Sequence, residues 1–172
     1  MSTNAAAWRA LTDVQKAGWL SLGLQIARTD SLGQTYTLNG FAAYCSVNNN
    51  NLSAGDAAVS TAPLLTTPAA LLTATITLTN AAFSIAYTAT PLAAGTRLFV
   101  FVSPQKSPGV TYNGDYRLLA VTAAAAASPA DVFATYSARF GTPVTGNKVF
   151  ISLATEKLGF LSSPFNVAQV IA

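Results

Sequence analysis

Arg97-Leu98-Phe99-Val100-Phe101-Val102-Ser103 is the densest strand-forming run in the chain, and it is third in a series of seven similar runs. The series comprises Leu71–Thr79, Ala82–Ala89, Arg97–Ser103, Tyr116–Thr122, Asp131–Phe140, Lys148–Thr155 and Phe165–Ile171. Ala74/Ile76/Leu78, Phe83/Ile85/Tyr87, Phe133/Thr135/Ser137 and Val149/Ile151/Leu153 alternate with more polar positions, as half-buried strands do. Turn-forming residues separate the runs: Pro91 to Gly95, Pro108-Gly109, Asn113-Gly114 and Gly146-Asn147. Short strands at this spacing predict a seven-stranded β-sandwich of the immunoglobulin or fibronectin type III kind over 71–172, with the Arg97 run as a central strand. The Cys…Trp…Cys pattern of antibody domains is absent, so the fibronectin-like description fits better.

Ahead of the strands the pattern is helical. Thr12-Asp13-Val14-Gln15 has the form of a capping box. Trp8, Leu11, Trp19, Leu22 and Ile26 share one quadrant at a helical period, and Leu20 and Leu24 add a second apolar edge. If Thr12 caps the helix, Trp8 belongs to a short turn before it. Asp30 to Gly33 reads as a turn and Gln34–Leu38 as a short strand. Asn39 caps a second helix from about Gly40 to Ser53, whose inner face is expected to hold Phe41, Tyr44, Cys45, Asn48 and Leu52. Asn48 to Asn51 reads as that helix's fraying end. Two prolines and small residues without periodicity, Ser60 to Pro68, describe a linker or extended arm. The organisation expected is therefore mainly β with a helical N-terminal part: 1–56 with two short helices, an arm at 57–70, and the sandwich.

Chemistry is hard to place on this chain. It has no His, which removes Ser-His-Asp and Cys-His catalysis and His-containing zinc sites. One Cys builds neither a Cys-rich metal site nor an internal disulfide. The six acidic residues are scattered without a calcium-loop pattern, although Asp115 and Asp131 are a conceivable pair at one end of the sandwich. Ser103-Pro104-Gln105-Lys106 matches Ser-x-x-Lys, but that motif works on a helix, and here it ends a strand beside Pro104. Asn51-Leu52-Ser53 is a glycosylation sequon in a chain whose first residues lack the basic and apolar segments of a secretion signal. No phosphate-cradling glycine loop occurs. The expectation is a non-enzymatic chain with no cofactor and no metal.

Only 9% of the residues are charged, against roughly 25% in typical soluble domains. The net charge of +3 is not clustered, so no nucleic-acid partner is expected, and no apolar run reaches membrane length. A surface this poor in charge is a weak defence against self-association, which suggests coverage by neighbours in an assembly. Trp8, Trp19, Phe41 and Tyr44 are the candidates for the helical core or a docking face. Tyr112 and Tyr116, near turns, are candidate surface-loop contacts, with a glycan as their conceivable ligand.

The pattern Trp8-x-x-Leu11-Thr12-x-x-Gln15-x-x-x-Trp19, then Gly33-x-x-Tyr36-x-Leu38-x-Gly40-Phe41-x-x-Tyr44-x-x-x-Asn48-x-Asn50, resembles the opening of small phage and prophage proteins. In those a helical head precedes a fibronectin-like sandwich. The resemblance covers about the first 55 residues and brings no catalytic residues with it. It implies a virion structural role, as a capsid decoration or minor capsid protein made in the host cytoplasm. The partners it implies are copies of the chain itself and a capsid or other virion protein. A carbohydrate- or surface-binding sandwich module is the alternative.

Overall fold

A computed structural model describes residues 3–30 and 32–172. Within them the fold is mixed helix and sheet, with four helices and ten strands in three antiparallel sheets. Two compact units are present. One holds the residues up to Thr67 together with Leu158–Phe160; the other holds Pro68–Lys157 and Leu161–Ala172.

The first unit contains three helices, where two were expected. Residues Thr3–Ala10 form α1, because the alanines around Trp8 are strong helix formers and the segment ends before the next cap. Helix α2 (Asp13–Gln25) begins at the expected capping box: Thr12 accepts from the Gln15 backbone N–H, and the Gln15 side chain accepts from the Thr12 backbone N–H. A two-stranded hairpin, β1 (Ala27–Thr29) and β2 (Thr35–Thr37), follows. Its turn is held by Asp30, whose carboxylate accepts from the Leu32 and Gln34 N–H groups; Ser31, in the same expected turn, lies outside the described residues. Helix α3 (Gly40–Ser53) starts at Asn39, whose side chain accepts from Ala42 N–H at 2.7 Å.

The buried face of α3 is rotated from the one expected. It carries Gly40, Ala43, Tyr44, Val47, Asn48 and Asn51, while Phe41 and Leu52 are exposed and Cys45 is half-buried. The cause is Gly40. A Cβ there would lie 3.0 Å from the Leu20 backbone nitrogen, so α2 passes directly over this position and turns the Gly40 side of the helix inward. Gly23 serves the same purpose on α2, where a Cβ would stand 2.5 Å from the Leu38 carbonyl oxygen. Both glycines cost helix propensity, and both permit a close backbone approach.

The second unit holds the longer strands. A three-stranded sheet has the order β3 (Thr73–Leu78), β4 (Phe83–Thr88), β7 (Ala130–Asp131). A five-stranded sheet has the order β10 (Phe165–Val170), β8 (Lys148–Lys157), β5 (Arg97–Val102), β6 (Arg117–Val121), with β9 (Phe160–Leu161) also paired to β8. The Arg97 run is thus interior, flanked by β6 and β8. One apolar cluster joins the two sheets: Leu78, Phe83 and Ile85 from one, and Leu98, Val100, Val102, Val149, Ile151 and Leu153 from the other.

One expected strand is a helix. Of Asp131–Phe140 only Asp131 lies in a sheet, at the end of the two-residue strand Ala130–Asp131, and Phe133–Phe140 form α4. The Phe133/Thr135/Ser137 alternation has apolar character at one position only. Val132, Phe133, Tyr136 and Phe140 recur at spacings of three to four, and this longer period carries the apolar surface. Tyr136 is fully buried, with ring centroids 5.3 Å from Phe83 and 5.1 Å from Phe140.

Candidate functional site

The four aromatic residues singled out in the helical segment form a continuous row. Trp19, fully buried, meets Tyr44 edge-on at 5.2 Å; Tyr44 meets Trp8 at 5.4 Å; Trp8 meets Phe41 at 5.7 Å. The row runs from core to surface. Trp19 and Tyr44 are core, Trp8 is half-buried, and Phe41 is exposed. Burial raises the pKa of the Tyr44 hydroxyl, the nearby Cys45 adding to it. At the outer end, Ala5, Trp8, Arg9 and Phe41 line an open, shallow depression of about 430 Å³. Leu20 and Leu24 are exposed on α2, and Leu20 is the residue whose backbone abuts Gly40, next to Phe41. An apolar surface with one cation at its margin suits contact with another surface. It contains no convergent acid, base or nucleophile.

The asparagine run, expected to fray, is instead the fastening of the arm. Asn48 is fully buried, donating to the Val59 carbonyl at 3.1 Å and accepting from the Val59 N–H at 2.6 Å. Asn49 accepts from the Asn4 side chain, and Asn50 donates to the Gly159 carbonyl at 2.8 Å. Trp19 completes the fastening: its indole N–H donates to the Ser60 carbonyl at 2.8 Å. A buried side-chain amide that mimics a strand partner satisfies an irregular backbone without water. Periodicity carried no signal for this. The one hint was an unusual density of amides on a helix face.

Tyr112 and Tyr116 lie in the loop between β5 and β6, exposed by 82% and 38%. The Tyr112 ring leans over Gly114, where an added Cβ would stand 3.5 Å from the hydroxyl. Between the two tyrosines Asp115 forms a two-pronged pair with Arg117, both contacts 3.1 Å, and this hydrogen bond holds the Asp115 carboxyl below its ordinary range. The Asn113 side-chain N–H group beside them is buried and has no partner.

The other chemical candidates have structural duties. Asp131 accepts from the Phe133 N–H at the start of α4 and forms no pair with Asp115, which Arg117 engages. Ser103 is buried, donating to the Pro104 carbonyl and accepting from Phe150 N–H at 3.0 Å, so its hydroxyl is committed to the β5–β8 ladder. Lys106 bridges the Lys148 backbone. No group of three potential metal ligands occurs among the described residues, and no helix among them is long and apolar enough to cross a membrane. A second cavity of about 220 Å³, in the strand-rich unit, is lined by Ala69–Leu72, Ala89, Leu92, Ala93, Thr96 and Thr155. Thr155 spends its hydroxyl on the Ala69 carbonyl at 2.6 Å, which leaves the lining almost wholly apolar.

Comparison with protein-family models, with curated proteins and with solved structures finds no match to this chain.

Proposed function

We propose that this chain is a non-enzymatic structural protein of a larger assembly, associating with copies of itself. The observation that carries the reading is the distribution of charge over the folded surface. From Ala57 to Thr96, and again from Leu158 to Ala172, the sequence contains no Lys, Arg, Asp or Glu. These stretches include exposed Leu64, Leu65, Leu72 and Leu161, and both β3 and β10. A soluble monomer normally intersperses charge on such surfaces; burial against neighbours removes the need. The N-terminal pattern gives the assembly its proposed kind, a virion, with this chain as a capsid decoration or minor capsid protein. The single apolar cluster shared by the two larger sheets supports the sandwich reading of the strand-rich unit.

A carbohydrate-binding module is the second reading, favoured by the exposed Tyr112 ring in the same loop as Asn113, whose side-chain N–H group has no partner. Flat rings next to amide donors are the usual equipment of sugar recognition. Light scattering of the purified chain across concentration tests the first reading, with a mass above that of one chain expected. A glycan array tests the second. Glycan binding lost in Tyr112→Ala, by a protein that stays monomeric, would put the module first.

A further inference from the structure

We propose that the homotypic contact is made by the edge of β3, which pairs antiparallel with β3 of a second copy. This deepens the assembly reading above and rests on it.

The two sides of the strand-rich unit are finished differently. On one side, α4 packs between the sheets. Arg139 donates to the Leu118 carbonyl on the outer strand β6, and Arg117 and Arg139 both lie over the Phe140 ring, at 6.0 and 5.5 Å. Strand β6 also carries a register shift opposite Val100/Phe101. Charge, irregularity and a covering helix are the devices that keep an edge from pairing further. The other side has β3 and β10 as its outer strands and none of these devices. Neither strand contains a charged residue or a proline, and β3 is regular along its whole register with β4.

β3 is terminal in its sheet. Its Thr79 N–H donates to Ala82 O, so by the alternation of an antiparallel ladder Thr73, Thr75 and Thr77 direct their backbone groups to β4. Ala74 and Ile76 then direct theirs outward. At the strand end the Leu78 carbonyl accepts from the Ala172 N–H, which closes the edge there and leaves the Ala74–Ile76 portion open.

A second copy fits this edge because the strand is complementary to itself. A two-fold axis at Thr75 sets Thr73 opposite Thr77 and Ala74 opposite Ile76 of the other copy. Threonines then stay on the exposed face and apolar residues on the core face, and about four backbone hydrogen bonds form between Ala74 and Ile76 of the two strands. A register shifted by one residue would set threonine against the core face. Directly opposed threonines are a favourable cross-strand pair, and no charge is brought together.

The axis makes Thr75 its own partner, so the test is a charge swap. Thr75 is exposed, and Thr75→Lys and Thr75→Glu leave the core untouched. Sedimentation velocity should show wild type gaining mass with concentration, each variant remaining at 17.7 kDa over the same range, and their equimolar mixture recovering the wild-type mass. Ala74→Pro removes the outward donor while sparing the bonds to β4, and should raise the dissociation constant at least tenfold. Circular dichroism melts confirm that each variant is folded. If wild type associates and the variants associate equally, β3 is not the contact, and assembly stands on another surface. Variants that stay monomeric even when mixed contradict the axis at Thr75. A wild type that is monomeric throughout overturns the homotypic assembly reading and this inference together.

Discussion

Asn48 shows how much one amide contributes. Both of its hydrogen bonds go to the Val59 backbone, and the Asn48 side chain is fully buried. Asn48→Ala leaves the Val59 N–H and carbonyl without these partners. The expected loss is about 2–3 kcal/mol of unfolding free energy, measurable by urea titration, whereas a solvent-exposed asparagine would cost a few tenths. Tyr136 gives a pH signature. Burial pushes its phenol up to about 12, whereas the unfolded chain's phenol titrates near 10. Between those values the unfolded state has released the proton and the folded state holds it. The stability tied to the neutral phenol is therefore complete below pH 10 and is lost as pH rises toward 12. Tyr136→Phe should decline less steeply than wild type across that window in thermal melts. An unchanged slope would place the titration elsewhere, for instance at Tyr44 or Tyr87, which burial also raises.

At the scale of elements, helix α2 contains a substitution whose sign is informative. Propensity alone says Gly23→Ala stabilises a helix by roughly 1 kcal/mol. The Leu38 carbonyl oxygen, 2.5 Å from the new Cβ, is backbone and cannot swing aside. The expected net effect is a destabilisation of about 1–3 kcal/mol, seen as a lower Tm. Most elements were legible because their signals are local. The capping box at Thr12, the Asn39 cap and the alternation in Phe83/Ile85/Tyr87 each depend on a few adjacent residues. What was not legible depends on distant partners. The rotation of α3 is set by Gly40 against Leu20, and the fastening of the arm by Asn48 and Trp19. Helix α4 was masked because Phe133 fits a period of two as well as one near 3.6; the longer period also takes in Tyr136 and Phe140, and Tyr136 packs against Phe83. In the candidate row, the sequence put Trp8, Trp19, Phe41 and Tyr44 in one group but not in order from core to surface, since periodicity assigns a face and not a depth.

For the whole molecule, the features that matter are negative ones distributed over surfaces. Asp131, Ser103 and Asp115, three of the groups that chemistry would use, are committed to a helix start, a ladder and a surface ion pair. The long uncharged stretches include exposed Leu64, Leu65, Leu72 and Leu161 and the strand edge left open at Ala74–Ile76. Self-association is the proposed way in which such a surface is covered. The most direct test is the mass of the wild-type chain in solution by light scattering as its concentration rises. Self-association predicts a mass that climbs from 17.7 kDa toward a defined multiple. A mass fixed at 17.7 kDa up to millimolar concentration would contradict it.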